Sequence, residues 1–260
     1  DFNIEAEGDL NFRLGKRDSA TLVVRANIQN QRPTYLLRNY RNAYIHWDNN
    51  DLSRQFRTSL QGEIGYSRTR TKLRFGWNNL TNYTYLAMQN TLKPGAKEGS
   101  IVPADYTHSV AVRQSDASVQ VFTASLSQDL IWKFIGWENE ITFQHSTNQD
   151  VLPLPAINIY SNLYLQFRIA KVLRVQLGGD IRFFTGYYAP DYFGAAGMFA
   201  VQDASHTRMT IGKYPIVNVY ANLHLKHCRI YIDVAHVNAG SGNMFLAPHM
   251  PMNPMTINFG

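Results

Sequence analysis

From Phe2 to Leu14 the chain alternates without a break. Phe2, Ile4, Ala6, Gly8, Leu10, Phe12 and Leu14 are apolar or glycine, while Asn3, Glu5, Glu7, Asp9, Asn11 and Arg13 are polar. A period of two predicts a strand with one apolar face. The run is longer than the ~5–6 residues usual in soluble sheets. It is long enough for the ~9–11 residues of a tilted strand that crosses a bilayer.

The pattern recurs. Ala20, Leu22, Val24, Ala26 and Ile28 alternate with Thr21, Arg25, Asn27 and Gln29, with Val23 as the exception. Phe56–Tyr66 and Leu73–Trp77 repeat it, as do Ser118–Leu130 and Glu138–Asn148. Ile157–Ile169 and Val175–Phe183 follow, then Val217–Leu225 and Ile230–Val234, and a last strand is expected near Thr256. Tight turns are expected at Gly15–Asp18, Arg68–Arg70, Phe134–Gly136, Ala170–Lys171 and His227–Cys228. Long connections run from about Gln31 to Arg54 and from Asn90 to Asp116, the second broken by Pro94, Gly95, Gly99 and Pro103. Short turns alternating with long loops, on strands with one polar face, predict an all-β, antiparallel up-and-down transmembrane β-barrel. About eleven strands are visible in one domain, residues 1–260. Barrels of single bacterial chains have even counts, so the chain is expected to be an incomplete C-terminal portion, with upstream strands and the final residues missing. A soluble barrel with its apolar face inward is the competing architecture, but so many long strands would enclose a cavity that needs filling.

Composition fits once the alternation is known. Mean hydropathy is -0.29, because lipid-facing and lumen-facing residues cancel. No apolar run approaches the ~18 residues of a spanning helix. The net charge of +6 comes from Lys and Arg scattered along the chain rather than gathered on one face or helix, which argues against nucleic acid as a partner. The single cysteine, Cys228, can form neither an intrachain disulfide nor a multi-cysteine metal site.

Several loop stretches resemble the putative porin family of Bacteroidetes-type outer membranes. They are Leu80-Thr81-Asn82-Tyr83-Thr84-Tyr85, Val151-Leu152-Pro153-Leu154-Pro155, Tyr187-Tyr188-Ala189-Pro190-Asp191-Tyr192, Ile211-Gly212-Lys213-Tyr214-Pro215 and Pro248-His249-Met250-Pro251. They stand in the family's order from about residue 80 onward, and the first 80 residues match through strand pattern. The resemblance implies a barrel, a bacterial outer-membrane address and passage of solutes.

Nothing in the sequence spells an enzyme. There is no Gly-x-Ser-x-Gly elbow, no His-Glu-x-x-His and no phosphate-binding glycine loop. Asp105, His108 and Ser109 are close in sequence, but triads are defined in space. His224 and His227, three apart on a strand, would face opposite ways. Glu5, Glu7 and Asp9 share one face, as do Glu138 and Glu140, and neighbouring Arg13 and the next strand's Arg25 would neutralise the first group. Tyr66, Trp77, Trp132 and Trp137 lie near strand ends or turns, where interfacial girdles form. Tyr35, Tyr40, Tyr44 and Trp47 are placed either to grip sugars or to fold their loop upon itself.

The expected lumen face carries Arg13, Arg25, Arg57, Lys72, Arg74, Arg168, Arg174, Arg182 and Lys226. Against these stand Glu5, Glu7, Asp9, Glu63, Glu138, Glu140, Asp180 and Asp233. The signs nearly balance, which predicts a weakly charge-selective channel for passive diffusion of small polar solutes. Its partners would be outer-membrane lipid and those solutes, with no cofactor, metal or catalytic residue implied. A closed barrel that binds a partner or braces the envelope is the alternative, and an outer-membrane hydrolase the second.

Overall fold

The computed structural model describes residues 1–14, 18–43, 45–98, 102, 105–242 and 244–260. Eleven strands form one antiparallel sheet in which chain neighbours are sheet neighbours. They are β1 (Phe2–Leu14), β2 (Asp18–Gln31), β3 (Gln55–Tyr66), β4 (Thr71–Thr81), β5 (Val119–Trp132) and β6 (Ile135–Ser146). Then come β7 (Ile157–Ile169), β8 (Leu173–Phe184), β9 (Ile216–Leu225), β10 (Cys228–Ala235) and β11 (Thr256–Phe259). The expected meander and its strand count are therefore found. Short turns join the strands at one end and long loops join them at the other.

Some boundaries differ from expectation. The chain reverses at Lys133–Phe134, one step earlier than the alternation predicts, and Ile135 is already paired with Trp132. The fifth reversal is at Lys226–His227, and Cys228 opens β10 opposite Leu225. Lys133 and Lys226 both adopt left-handed backbone, φ 46° in each, a conformation that glycine or asparagine would advertise and lysine does not. Lys226 therefore stands in a turn, not on the strand face to which the alternation assigned it. The second long connection holds a hairpin of its own, Thr84–Leu92 paired with Tyr106–Gln114. The turn expected at Gly15-Lys16-Arg17, Tyr44 of the aromatic loop, and the breakers Gly99 and Pro103 lie outside the described residues.

Register turns the alternation into two continuous faces. Leu10, Leu22, Ile64, Leu73, Leu126, Ile141, Ile159 and Phe183 lie opposite one another in a single row that crosses β1 to β8. The row Leu165, Leu177, Ala221, Ile232 and Phe259 does the same across β7 to β11. Many side chains of this face stay open: Leu10 is 54% exposed, Ile64 50% and, outside these two rows, Ile4 61%. In water, leaving each such side chain exposed would forgo about 1.5–3 kcal/mol. An apolar surface that spans every strand is what a lipid bilayer covers. Near the turns this face carries Trp132, Trp137 and Tyr66. There a short polar chain runs from Trp137 Nε1 to Ser161 Oγ (2.9 Å) and on to Asn139 Oδ1 (2.7 Å).

Because the strands turn their apolar face outward, a buried core forms elsewhere, in the long loops. Leu86, Ala196 and Ala200 make a cluster ringed by Tyr40, Ile45, Trp47, Met88, Val110, Val112, Phe193 and Met198. Tyr40 stacks on Trp47 at 4.9 Å and donates its hydroxyl to the Ala195 carbonyl at 2.6 Å. Met88 and Val201 exchange backbone bonds with the loop opposite, Met88 N–H to Val201 O and Val201 N–H to Leu86 O, both 2.8 Å. Of the two roles open to the aromatic loop, Tyr40 and Trp47 take the second and hold loop to loop.

Candidate functional site

The face opposite the apolar one is mainly polar, and the expected charges sit on it. Glu5, Glu7, Asp9 and Arg13 of β1 share it with Arg25 of β2 and with Arg57 and Glu63 of β3. Lys72 and Arg74 of β4, Glu138 and Glu140 of β6, Arg168 of β7, and Arg174, Asp180 and Arg182 of β8 continue it. Only Lys226, in its turn, is off this face. Val23, the exception in the alternation, lies on it between Asp9 and Glu63.

Many of these groups bond across strands. Arg25 meets Glu7 at 3.0 Å and Arg74 meets Glu63 at 2.8 Å. Asn27 donates to Asn3 (2.7 Å) and to Glu5 (3.0 Å), and Arg57 donates to Asn78 (2.9 Å). Further along, Tyr220 donates to Asn162 (2.9 Å), Asn162 to Glu138 (3.2 Å) and Asn218 to Asp180 (3.0 Å). The Arg182 guanidinium stands 3.7 Å from Asp180 and over the Tyr160 ring. Two glycines make room for this network. Tyr164 lies across Gly136, and Tyr220 across Gly178, where an added Cβ would be 2.6 Å from the Tyr220 hydroxyl. Tyrosine rings therefore lie flat along the wall, an arrangement that strand alternation alone does not signal.

At the loop end, the segment between β6 and β7 leans over the polar face. Thr147 and Gln120 clamp it to β5: Thr147 N–H donates to Gln120 O, and Gln120 N–H to Thr147 Oγ1, both 2.9 Å. Gln149 Oε1 accepts the Leu154 N–H at 2.9 Å, and Asp150 pairs with Arg208 at 2.5 Å. Leu152 and Leu154 thereby join Gln29, Gln31, Gln55, Arg57, Asn78 and Gln144 around a cavity of about 430 Å³, together with Leu80, Val121 and Tyr83. The lining is rich in amides, has one guanidinium and no carboxylate. Burial pushes the Tyr83 phenol above its ordinary range, which keeps it a neutral hydroxyl. The sequence marks Val151–Pro155 only as a family landmark. That this loop reaches the polar face had no periodic signal.

The loops hold no assembled triad where the sequence offered one. His108 Nδ1 is 2.7 Å from Asn90 Oδ1, and Ser109 donates to the Gln89 carbonyl at 3.2 Å. As neighbours on one strand they point opposite ways. A serine–histidine contact does occur nearby, with Ser205 Oγ 2.9 Å from His206 Nδ1. Asp203 sits on the same nitrogen at 3.0 Å and takes the Ser205 hydroxyl at 2.6 Å. A general base needs its second nitrogen for the orienting acid, so this is a loop clasp. Burial raises the Asp203 carboxyl, but hydrogen bonds from Ser205, the Asn90 N–H and His206 outweigh it and hold the group below the usual carboxylate range.

The whole chain, residues 1–260, matches the model of a family described as "Putative porin". No curated protein matches it in sequence. Two solved structures resemble it. The siderophore receptor PirA from Acinetobacter baumannii has a TM-score of 0.50 at 12% identity, over 97% of this chain and 40% of the receptor. PirA from Pseudomonas aeruginosa has a TM-score of 0.49 at 12% identity, over 90% and 38%. The chain thus spans about two-fifths of the receptors' length, and at 12% identity the likeness to the Acinetobacter receptor shows the fold alone. With its meander, its lipid-type outer face and a family match over its whole length, this chain belongs to the putative porin family of β-barrel proteins of the bacterial outer membrane.

Proposed function

We propose that the polar face lines a channel through which small polar solutes diffuse passively, and that the charged set on β1–β8 lines its lumen. The observation that carries this reading is the continuity of a hydrated, hydrogen-bonding face on the reverse of a lipid-type face along the same strands. The loop carrying Leu152 and Leu154 narrows the loop-side entrance without closing the cavity beneath it. Pairing of Arg25 with Glu7 and of Arg74 with Glu63 cancels charge locally, which supports weak selectivity. Planar-bilayer recording of the full-length protein tests the proposal. Stepwise currents are expected, larger in L152A/L154A than in the wild type. A folded protein that never conducts sinks it.

One observation favours a second reading, a closed barrel that binds a partner at the cell surface. Three loops share the buried core around Leu86 and Ala200 and so form a fixed outer surface rather than loose flaps. Under that reading the bilayer stays silent in both variants.

A further inference from the structure

One row of the polar face differs from the rest. Arg168 lies opposite Arg174, Arg174 opposite His224, and His224 opposite Arg229, on four successive strands. All four are exposed and stand one residue from a short turn. The next row inward, Gln166, Gln176, Asn222 and Tyr231, carries no charge. Lys171 and Lys226 occupy the adjoining turns. Among the described residues every ion pair is made by other side chains. His224, which lies between Arg174 and Arg229 in register, donates its Nε2–H to the Lys226 carbonyl of the turn at 3.1 Å.

Like charges placed directly opposite weaken a sheet, and neighbouring strands are only ~4.8 Å apart. On β1–β4 of this face two arginines are instead met by facing carboxylates, Arg25 by Glu7 and Arg74 by Glu63. Here the relief must come from outside the wall. Guanidiniums one strand apart can each bond an oxyanion held between them, and their forked donors match phosphate oxygens. We propose that Arg168 and Arg174 form a site for a phosphate group at the turn-side mouth, with Arg229, one strand beyond His224, adding to its positive field. A phosphate reaches it on a solute in the lumen or on a phospholipid headgroup at the rim, and the chemistry of capture is the same.

The test titrates full-length protein with pyrophosphate at low ionic strength, in detergent and in nanodiscs. The discs are made of phosphatidylethanolamine alone or with a quarter phosphatidylglycerol. Binding is expected for the wild type and reduced about tenfold or more in R168Q/R174Q/R229Q. The loop-side control R32Q/R41Q/R113Q, with the same loss of charge, is expected to stay within about twofold of wild type. Heat-modifiable migration checks that each variant folds, and R174Q alone should lose binding several-fold. Equal pyrophosphate binding in both disc types assigns the site to a free solute. Binding that persists without phosphatidylglycerol and is competed away with it assigns the site to the headgroup. Equal affinity of the triple variant and the wild type, or no binding to the wild type in detergent and in either disc, overturns the proposal. Binding in detergent needs no current, so this site and the channel fail separately.

Discussion

The inner faces of β1–β4 and β7–β10 are built from similar residues in opposite arrangements. In the first, opposites face each other: Glu7 against Arg25 and Glu63 against Arg74. In the second, like faces like, from Arg168 to Arg174 and through His224 to Arg229. Its acids, Asp180 and Asp233, lie further from the turns, Asp180 already held by Asn218 and Arg182 and Asp233 accepting from Asn258. The first half neutralises itself, and the second is left with an uncompensated row at one end. A near-balance of charge over a whole face therefore says little about its local field, because register decides which charges meet.

The largest expected effect comes from the tyrosine packing that is peculiar to the second half. In G178V the new side chain would meet Tyr220 and the Tyr164 Cβ, 2.8 Å from an added Cβ. Tyr220 would swing away and release Asn162, which itself holds Glu138. Overpacking of this kind costs about 1–3 kcal/mol, and a fall of about 2 kcal/mol in unfolding free energy by urea titration is expected. G62V is the control in β3, since an added Cβ there has nothing within 4 Å. Its valine also suits a strand, so a change within about 0.5 kcal/mol is expected. Equal losses at both sites would mean that the tyrosines are not packed as described.

A smaller effect tests the first half. Glu63 and Arg74 are partly exposed, so their pair is worth about 0.5–1 kcal/mol. E63K turns attraction into repulsion and should lower stability by about 1 kcal/mol at low ionic strength. Most of that loss should vanish near 1 M salt, where the screening length is about 3 Å. A loss that salt leaves unchanged would show that Glu63 acts through packing and not through charge.

The strands, the two faces and the strand count were legible because a period of two is a local signal, and because lipid leaves the apolar residues on one unbroken side. Turn positions slipped by one residue at Lys133 and Lys226, where lysines fill a left-handed conformation. The hairpin Thr84–Leu92 with Tyr106–Gln114 was hidden among breakers that read as loop. Alternation tells which face a charge is on, and it placed Glu7, Arg25, Glu63 and Arg74 together. It does not tell which residue lies opposite, so neither the Arg25–Glu7 pair nor the Arg168–Arg174 confrontation could be ranked from sequence. The cavity was out of reach for another reason. Leu152 and Leu154 sit in a proline-rich segment without period, and only the fold brings them to Gln29 and Gln144.

The smallest predicted effect has the opposite sign and bears most directly on the contrast between the halves. R174E puts a carboxylate between Arg168 and His224, so the second half acquires the alternating signs of the first. Facing opposite charges on exposed strands contributes about 0.2–1 kcal/mol. Urea titration at low ionic strength should therefore show R174E more stable than wild type by a few tenths of a kcal/mol. A stabilising substitution in a natural wall means that the arginine is kept for something other than stability, as expected of groups that await a ligand. If R174E is instead less stable than wild type, the row carries no stored repulsion. Some group near Arg168 or Arg229 must then already compensate it, and the two halves are equally neutralised.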